Sequence, residues 1–127
     1  MGFNGFLAVG VGAAIGAWLR WWLGLMLNAT LPALPLGTLL ANLAGGYLMG
    51  LCMGLISLTS SFSPDMRLFV MTGLLGGLTT FSTFSAEGVT LLVRGQYGWA
   101  ATHMLVHALG SLAMTALGVL TVQMLRG

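Results

Sequence analysis

The chain has 127 residues, 57% of them hydrophobic and only 5% charged, where an ordinary soluble domain carries about 25% charged residues. So few charges cannot keep a soluble surface hydrated, which argues against a soluble enzyme, a nucleic-acid binder and a disordered tail. The four basic residues are all Arg, scattered at 20, 67, 94 and 126, so the net charge of +2 forms no basic patch.

A membrane-spanning helix needs about 20 predominantly apolar residues. The first apolar stretch predicts a helix over 4–27. Met1-Gly2-Phe3-Asn4-Gly5 lacks the positive start of a secretory signal, and Phe6 stands where a myristoylation motif needs Ser or Thr. This segment is therefore expected to stay as a span. From Trp21 to Pro64 the chain carries no Asp, Glu, Lys or Arg, which is too long for one crossing. The run from Asn28 to Pro35 holds two prolines and two turn formers and breaks it. A second helix is predicted over 35–58. The polar cluster from Thr59 to Asp65 follows. In it, Ser63-Pro64-Asp65 offers a cap, a first-turn Pro and an acid near the positive dipole end. A third helix is predicted over 64–94. Gly95-Gln96-Tyr97-Gly98 makes a short turn, and a fourth helix runs over 97–125. The expected fold is an all-α membrane protein, one domain over 1–127 with four transmembrane helices. The lone Cys52 forms no intrachain disulfide and does not report a redox compartment.

Four crossings place Arg67 and Arg126 toward one side of the membrane and Arg20 and Arg94 toward the other. The excess of Arg and Lys that usually marks the cytoplasmic side is therefore tied. Either other signals fix one topology, or the chain inserts both ways.

Small residues recur at four-residue spacing: Ala8, Gly12 and Gly16 on the first helix, and Gly46, Gly50 and Gly54 on the second. Such ridges let helices approach closely in lipid, within one chain or between chains. The third helix is irregular. From Gly73 to Ser85 it holds adjacent glycines and then five hydroxyls, among them Ser82 and Thr83, within seven residues. Gly76-Gly77 can end one half-helix, and Thr79 or Thr80 can cap the next, so a break near 76–80 is expected. Backbone opened at that depth must be buried in protein or line a polar cavity. Such breaks commonly hold ions, with carbonyls facing cations. The other reading is an unbroken helix whose hydroxyls bond back to their own carbonyls.

Phe81 and Phe84 share a helix face and alternate with hydroxyls, so their positive ring edges could meet a small anion. Asn42, one turn after Thr38, serves either as a helix–helix hydrogen bond or as a pore-lining donor. His103, His107, Ser111 and Thr115 form a polar stripe on the fourth helix. No further metal ligand lies near in sequence, so a hydrogen-bonding track is favoured over a metal site. Glu87 is the sole acid inside a span and should face protein or water. Arg20, beside Trp21 and Trp22, either anchors the helix at the interface or attracts anions.

Four segments together resemble the bacterial fluoride channels, the Fluc or CrcB family: GAAIGAWLRW (12–21), PLGTLLANLAGG (35–46), TGLLGGLTTFSTFSAE (72–87) and GSLAMTALG (110–118). The resemblance covers nearly the whole chain. It implies a multi-pass protein of the bacterial inner membrane, assembled as an antiparallel dual-topology homodimer with two fluoride pores. It implies a structural sodium ion at the dimer centre, held by backbone carbonyls that fall at Gly76 and Thr79. It places Asn42, Phe81, Phe84, His107, Ser111 and Thr115 along the fluoride pathway, with Arg20, Thr38, Ser82, Thr83 and Glu87 nearby. Fluoride would leave passively, and no Walker-type nucleotide motif is present. A small proton-coupled multidrug exporter using Glu87 is the alternative, and a membrane scaffold is a third class.

Overall fold

The computed structural model describes residues 2–59 and 62–127. Met1, and Ser60 and Ser61 of the polar cluster, lie outside the described residues. Helix α1 spans Phe3–Leu27 and α2 spans Leu36–Leu58. A third rod, Pro64–Val93, is composite. It runs through α3 (Pro64–Arg67), a π-helical segment (Leu68–Leu75), α4 (Gly76–Leu78) and α5 (Ser82–Val93). Helix α6 spans Tyr97–Arg126. Among the described residues there are thus four helical rods long and apolar enough to cross a membrane, and no strand.

The ends are held by local chemistry. Pro35 precedes α2 and has no side-chain donor or acceptor, so Asn28 reaches across the turn: its Oδ1 accepts from Thr38 N–H at 3.1 Å. Ser63 Oγ accepts from Met66 N–H at 3.1 Å, with Pro64 at the first helical position and Asp65 in the first turn. Past α5, Gly95 takes φ +73° and lets Gln96 N–H bond the Leu91 carbonyl, a six-to-one closure that only a residue free in the left-handed region permits easily.

Packing is pairwise. Helix α1 lies against the π segment and α4, and α2 against α6. Both small-residue ridges are used within the chain. A Cβ on Gly12 or Gly16 would run into the backbone of Phe69, Leu74 or Leu78, and one on Gly50 into the Thr115 carbonyl. The two pairs meet around Ala41, Cys52, Leu75 and Leu78, a buried cluster flanked by Leu23 and Met49. Outward, Phe6, Trp18, Leu25, Val93, Leu112 and Leu125 are largely exposed, an apolar coat suited to lipid and not to water.

The π segment has no counterpart in the sequence reading. Nothing in the apolar run from Leu68 to Leu75 separates a five-residue hydrogen-bond register from a four-residue one. Such wide turns recur next to functional irregularities, and this one leads into the end of α4. Gly76 and Gly77, expected to end the first half-helix, are both helical. Gly77 serves close packing instead, since a Cβ there would meet the Ala13 carbonyl at 2.5 Å.

Candidate functional site

Helix α4 stops at Leu78 and α5 starts at Ser82 because nearby groups take the hydrogen bonds that would join them. Thr79 is extended, with φ −85° and ψ 158°. In a continuous helix Thr80 N–H would bond the Gly76 carbonyl. It donates instead to Asn42 Oδ1 at 2.8 Å. Thr83 N–H would bond the Thr79 carbonyl. It donates instead to Thr80 Oγ1 at 3.1 Å, capping α5. Arg20 Nε donates to the Gly77 carbonyl at 3.1 Å. Arg20 is thus tied to the end of α4 and not simply anchored at an interface. The Gly76 and Thr79 carbonyls are left with no donor among the described residues. The Leu75 carbonyl, by contrast, accepts from both Thr79 N–H and Thr79 Oγ1.

Asn42 grips the opened backbone at two points. Its Nδ2 donates to the Thr80 carbonyl at 3.1 Å while its Oδ1 takes the Thr80 N–H. The same Nδ2 lies 3.0 Å from His107 Nδ1. An amide has only two N–H donors, so both are engaged, and Asn42 organises the site without a spare donor of its own. Four rings cluster beside it. Phe84 lies 5.6 Å from Phe81, stacks on His103 at 4.9 Å and sits 4.9 Å from His107. The structure brings Asn42, Phe81, Phe84, His107, Ser111 and Thr115 to the wall of one cavity of about 410 Å³, with Gly76 and Thr79 also lining it.

The hydroxyls of the stripe are not equivalent. Thr115 Oγ1 donates to the Ser111 carbonyl at 2.9 Å, so its proton is already committed. Ser111 Oγ makes no hydrogen bond among the described residues and keeps its proton available. Ser82 and Thr83 do not line the cavity. Ser82 Oγ is a distant 3.4 Å from Thr80 Oγ1, and Thr83 takes part through its backbone.

Glu87 and Thr38 form a second polar group. Thr38 Oγ1 donates to Glu87 Oε2 at 2.7 Å. Glu87 Oε1 lies 3.9 Å from His103 Nε2, beyond hydrogen-bond range, and that nitrogen bonds the Phe84 carbonyl at 3.0 Å. One ligating atom from each of Glu87, His103 and His107 lies within 4.8 Å of the others. The third ligand type that the stripe lacks in sequence is therefore supplied in space, from α5. Buried atoms of the three, Glu87 Oε1, His103 Nδ1 and His107 Nε2, have no hydrogen-bond partner among the described residues.

Sequence reasoning named Thr80 only as a possible cap, and its hydroxyl does cap α5; the grip of Asn42 on its peptide had no local signal. Sequence reasoning also left His103 out of the pathway, although His103 is fully buried against Phe84.

A family model described as CrcB-like protein, Camphor Resistance (CrcB), matches residues 7–119. The chain is 58% identical to a protein of Nitrosospira multiformis named fluoride-specific ion channel FluC, over 98% of each chain. It is 58% identical to a protein of the same name from Cupriavidus taiwanensis, over 98% of this chain and 99% of the other. A third of that name, from Pseudomonas putida, is 54% identical over 95% of each. With a family match across most of its length and relatives this similar end to end, the chain belongs to the CrcB family.

Proposed function

We propose that this chain is a passive fluoride channel of the bacterial inner membrane, working as an antiparallel dual-topology homodimer with two pores. It is a transporter and not an enzyme. The observation that carries the reading is the convergence of Asn42, Phe81, Phe84, His107, Ser111 and Thr115 on one cavity, in a chain whose close relatives are named fluoride-specific channels. Fluoride is small and strongly hydrated, so it leaves water only where hydrogen-bond donors replace that water. The free Ser111 hydroxyl and the positive ring edges of Phe81 and Phe84 supply such contacts without a fixed charge that would trap the ion.

The mid-span gap supports a structural cation. Gly76 and Thr79 are the positions whose carbonyls lose their helical donors, one to Asn42 and the other to the Thr80 hydroxyl. Carbonyl oxygens at the C-terminal end of a half-helix suit a hard monovalent cation such as sodium. Gly76 is exposed in the single chain, with nothing nearer its Cβ position than the Met71 carbonyl at 3.8 Å. Phe81 is 78% exposed. Both features suit an interface with a second copy, where sodium would tie the two openings together.

The exporter reading is weaker. Its exchange acid would be Glu87, one oxygen of which already holds the Thr38 hydroxyl. Purified protein in liposomes loaded with fluoride tests the proposal. Rapid fluoride loss, indifferent to a proton gradient and absent with chloride, is expected. No loss above that of empty vesicles would end the channel reading, and loss that requires a proton gradient would favour the exporter.

A further inference from the structure

We propose that Asn42 is a positioning residue that holds His107 as the neutral tautomer with its proton on Nε2. The orientation of the Asn42 amide is settled by Thr80. An N–H needs an acceptor, so the atom facing Thr80 N–H at 2.8 Å is Oδ1; a carbonyl needs a donor, so the atom facing Thr80 O at 3.1 Å is Nδ2. Reversing the amide would break both bonds at once. The remaining Nδ2 hydrogen is directed at His107 Nδ1, 3.0 Å away. That nitrogen must therefore present a lone pair. A proton on Nδ1, whether in the other tautomer or in the imidazolium, would set two donors against each other. The proton of the neutral ring lies on Nε2.

His107 is 3% exposed, and its Nε2 is buried without a hydrogen-bond partner among the described residues. A buried N–H with no acceptor is costly to keep. It makes sense where an acceptor comes and goes. This use of the donor rests on the fluoride reading; the tautomer itself does not. With the proton on Nδ1, the same position would offer an anion a lone pair.

The assignment also decides the chemistry of the Glu87, His103 and His107 group. His103 Nε2 must donate to the Phe84 carbonyl, which leaves a lone pair on Nδ1. Glu87 Oε1 is likewise an acceptor when ionised. His107 Nε2 then carries a proton and its Nδ1 is held by the Asn42 N–H, so His107 has no free lone pair for a metal ion. The three unpartnered atoms are two acceptors and one donor, and the group as it stands is closed to a three-ligand zinc site.

The chain has two histidines, so the test is tractable. Protein labelled with 15N at histidine and reconstituted as the full assembly in lipid bilayers shows four ring nitrogens, with His107 assigned from a His107→Gln sample. We expect Nε2 protonated and Nδ1 bare in both rings. Asn42→Asp keeps an acceptor for Thr80 N–H but offers His107 only acceptors, so His107 Nδ1 should gain a proton while His103 stays unchanged. A wild-type His107 protonated on Nδ1 overturns the proposal without any variant having to fold, as does loss of the Nε2 proton on adding Zn²⁺. Liposomes from the same preparation separate the two ideas. The expected tautomer in a protein that carries no fluoride would sink the channel reading alone, and the reverse result would sink the tautomer assignment alone.

Discussion

At the scale of single residues, the donors in the cavity differ in whether their protons are already committed. Ser111 Oγ is uncommitted, whereas Thr115 Oγ1 spends its proton on the Ser111 carbonyl. A hydrogen bond to a charged partner contributes about 1.5–3 kcal/mol. Ser111→Ala should therefore slow fluoride flux by about tenfold or more, while Thr115→Val, which keeps the shape, should change it by less than about threefold. Equal losses in the two variants, measured by efflux from liposomes, would show that the hydroxyls act only by making the wall polar. The two phenylalanines divide in a similar way. Phe81 is largely exposed in the single chain, and Phe84 is stacked on His103 and close to His107. Phe81→Ile should leave the fold of the single chain intact and lower flux by about two- to tenfold, the range of an aromatic contact of roughly 0.5–1.5 kcal/mol. Phe84→Ile should lower both stability and flux. Wild-type flux in Phe81→Ile would show that its ring only packs.

At the scale of elements, the four rods and their turns were legible because length and hydropathy alone specify them. The character of the third rod was legible only in part. Hydroxyls after a glycine pair pointed to irregular backbone, but which residues leave the helix depends on partners far away in sequence. Asn42 takes the Thr80 N–H across 38 positions, and Arg20 takes the Gly77 carbonyl across 57. No local pattern encodes either contact. The same holds for Glu87, which looked like a lone acid and sits with two histidines from α6. The glycine pair shows how two identical neighbours separate by environment. A Cβ at Gly77 would meet Ala13 backbone at 2.5 Å, while one at Gly76 meets nothing closer than 3.8 Å. Gly77→Ala should therefore destabilise the α1 packing by about 1–3 kcal/mol or more and reduce the yield of folded protein. Gly76→Ala should leave the single chain intact and act on dimerisation and on sodium dependence. Normal dimers with unaltered sodium response from Gly76→Ala would separate Gly76 from the cation and from the interface.

At the scale of the whole molecule, the charges leave orientation undecided. Arg67 and Arg126 balance Arg20 and Arg94, and the composition offers no lysine or large loop to break the tie. A chain that inserts both ways would supply both halves of an antiparallel pair from one gene product. The balance is delicate, since one added charge near a helix end can decide the topology of a small protein. Gly127→Arg adds a charge on the side of Arg126, and Gln96→Arg adds one on the side of Arg94, in the turn before α6. Each variant expressed alone should insert mainly one way, as read by the accessibility of a C-terminal tag, and should lose most of its fluoride flux for want of inverted partners. Expressed together, the two should recover it, because each supplies the orientation that the other lacks. Full activity from either variant alone with its C-terminus on one face, or a native population with more than roughly nine-tenths of its C-termini on one side, would rule out assembly from opposite orientations. The open Gly76 and the exposed Phe81 would then have to be covered by a parallel neighbour.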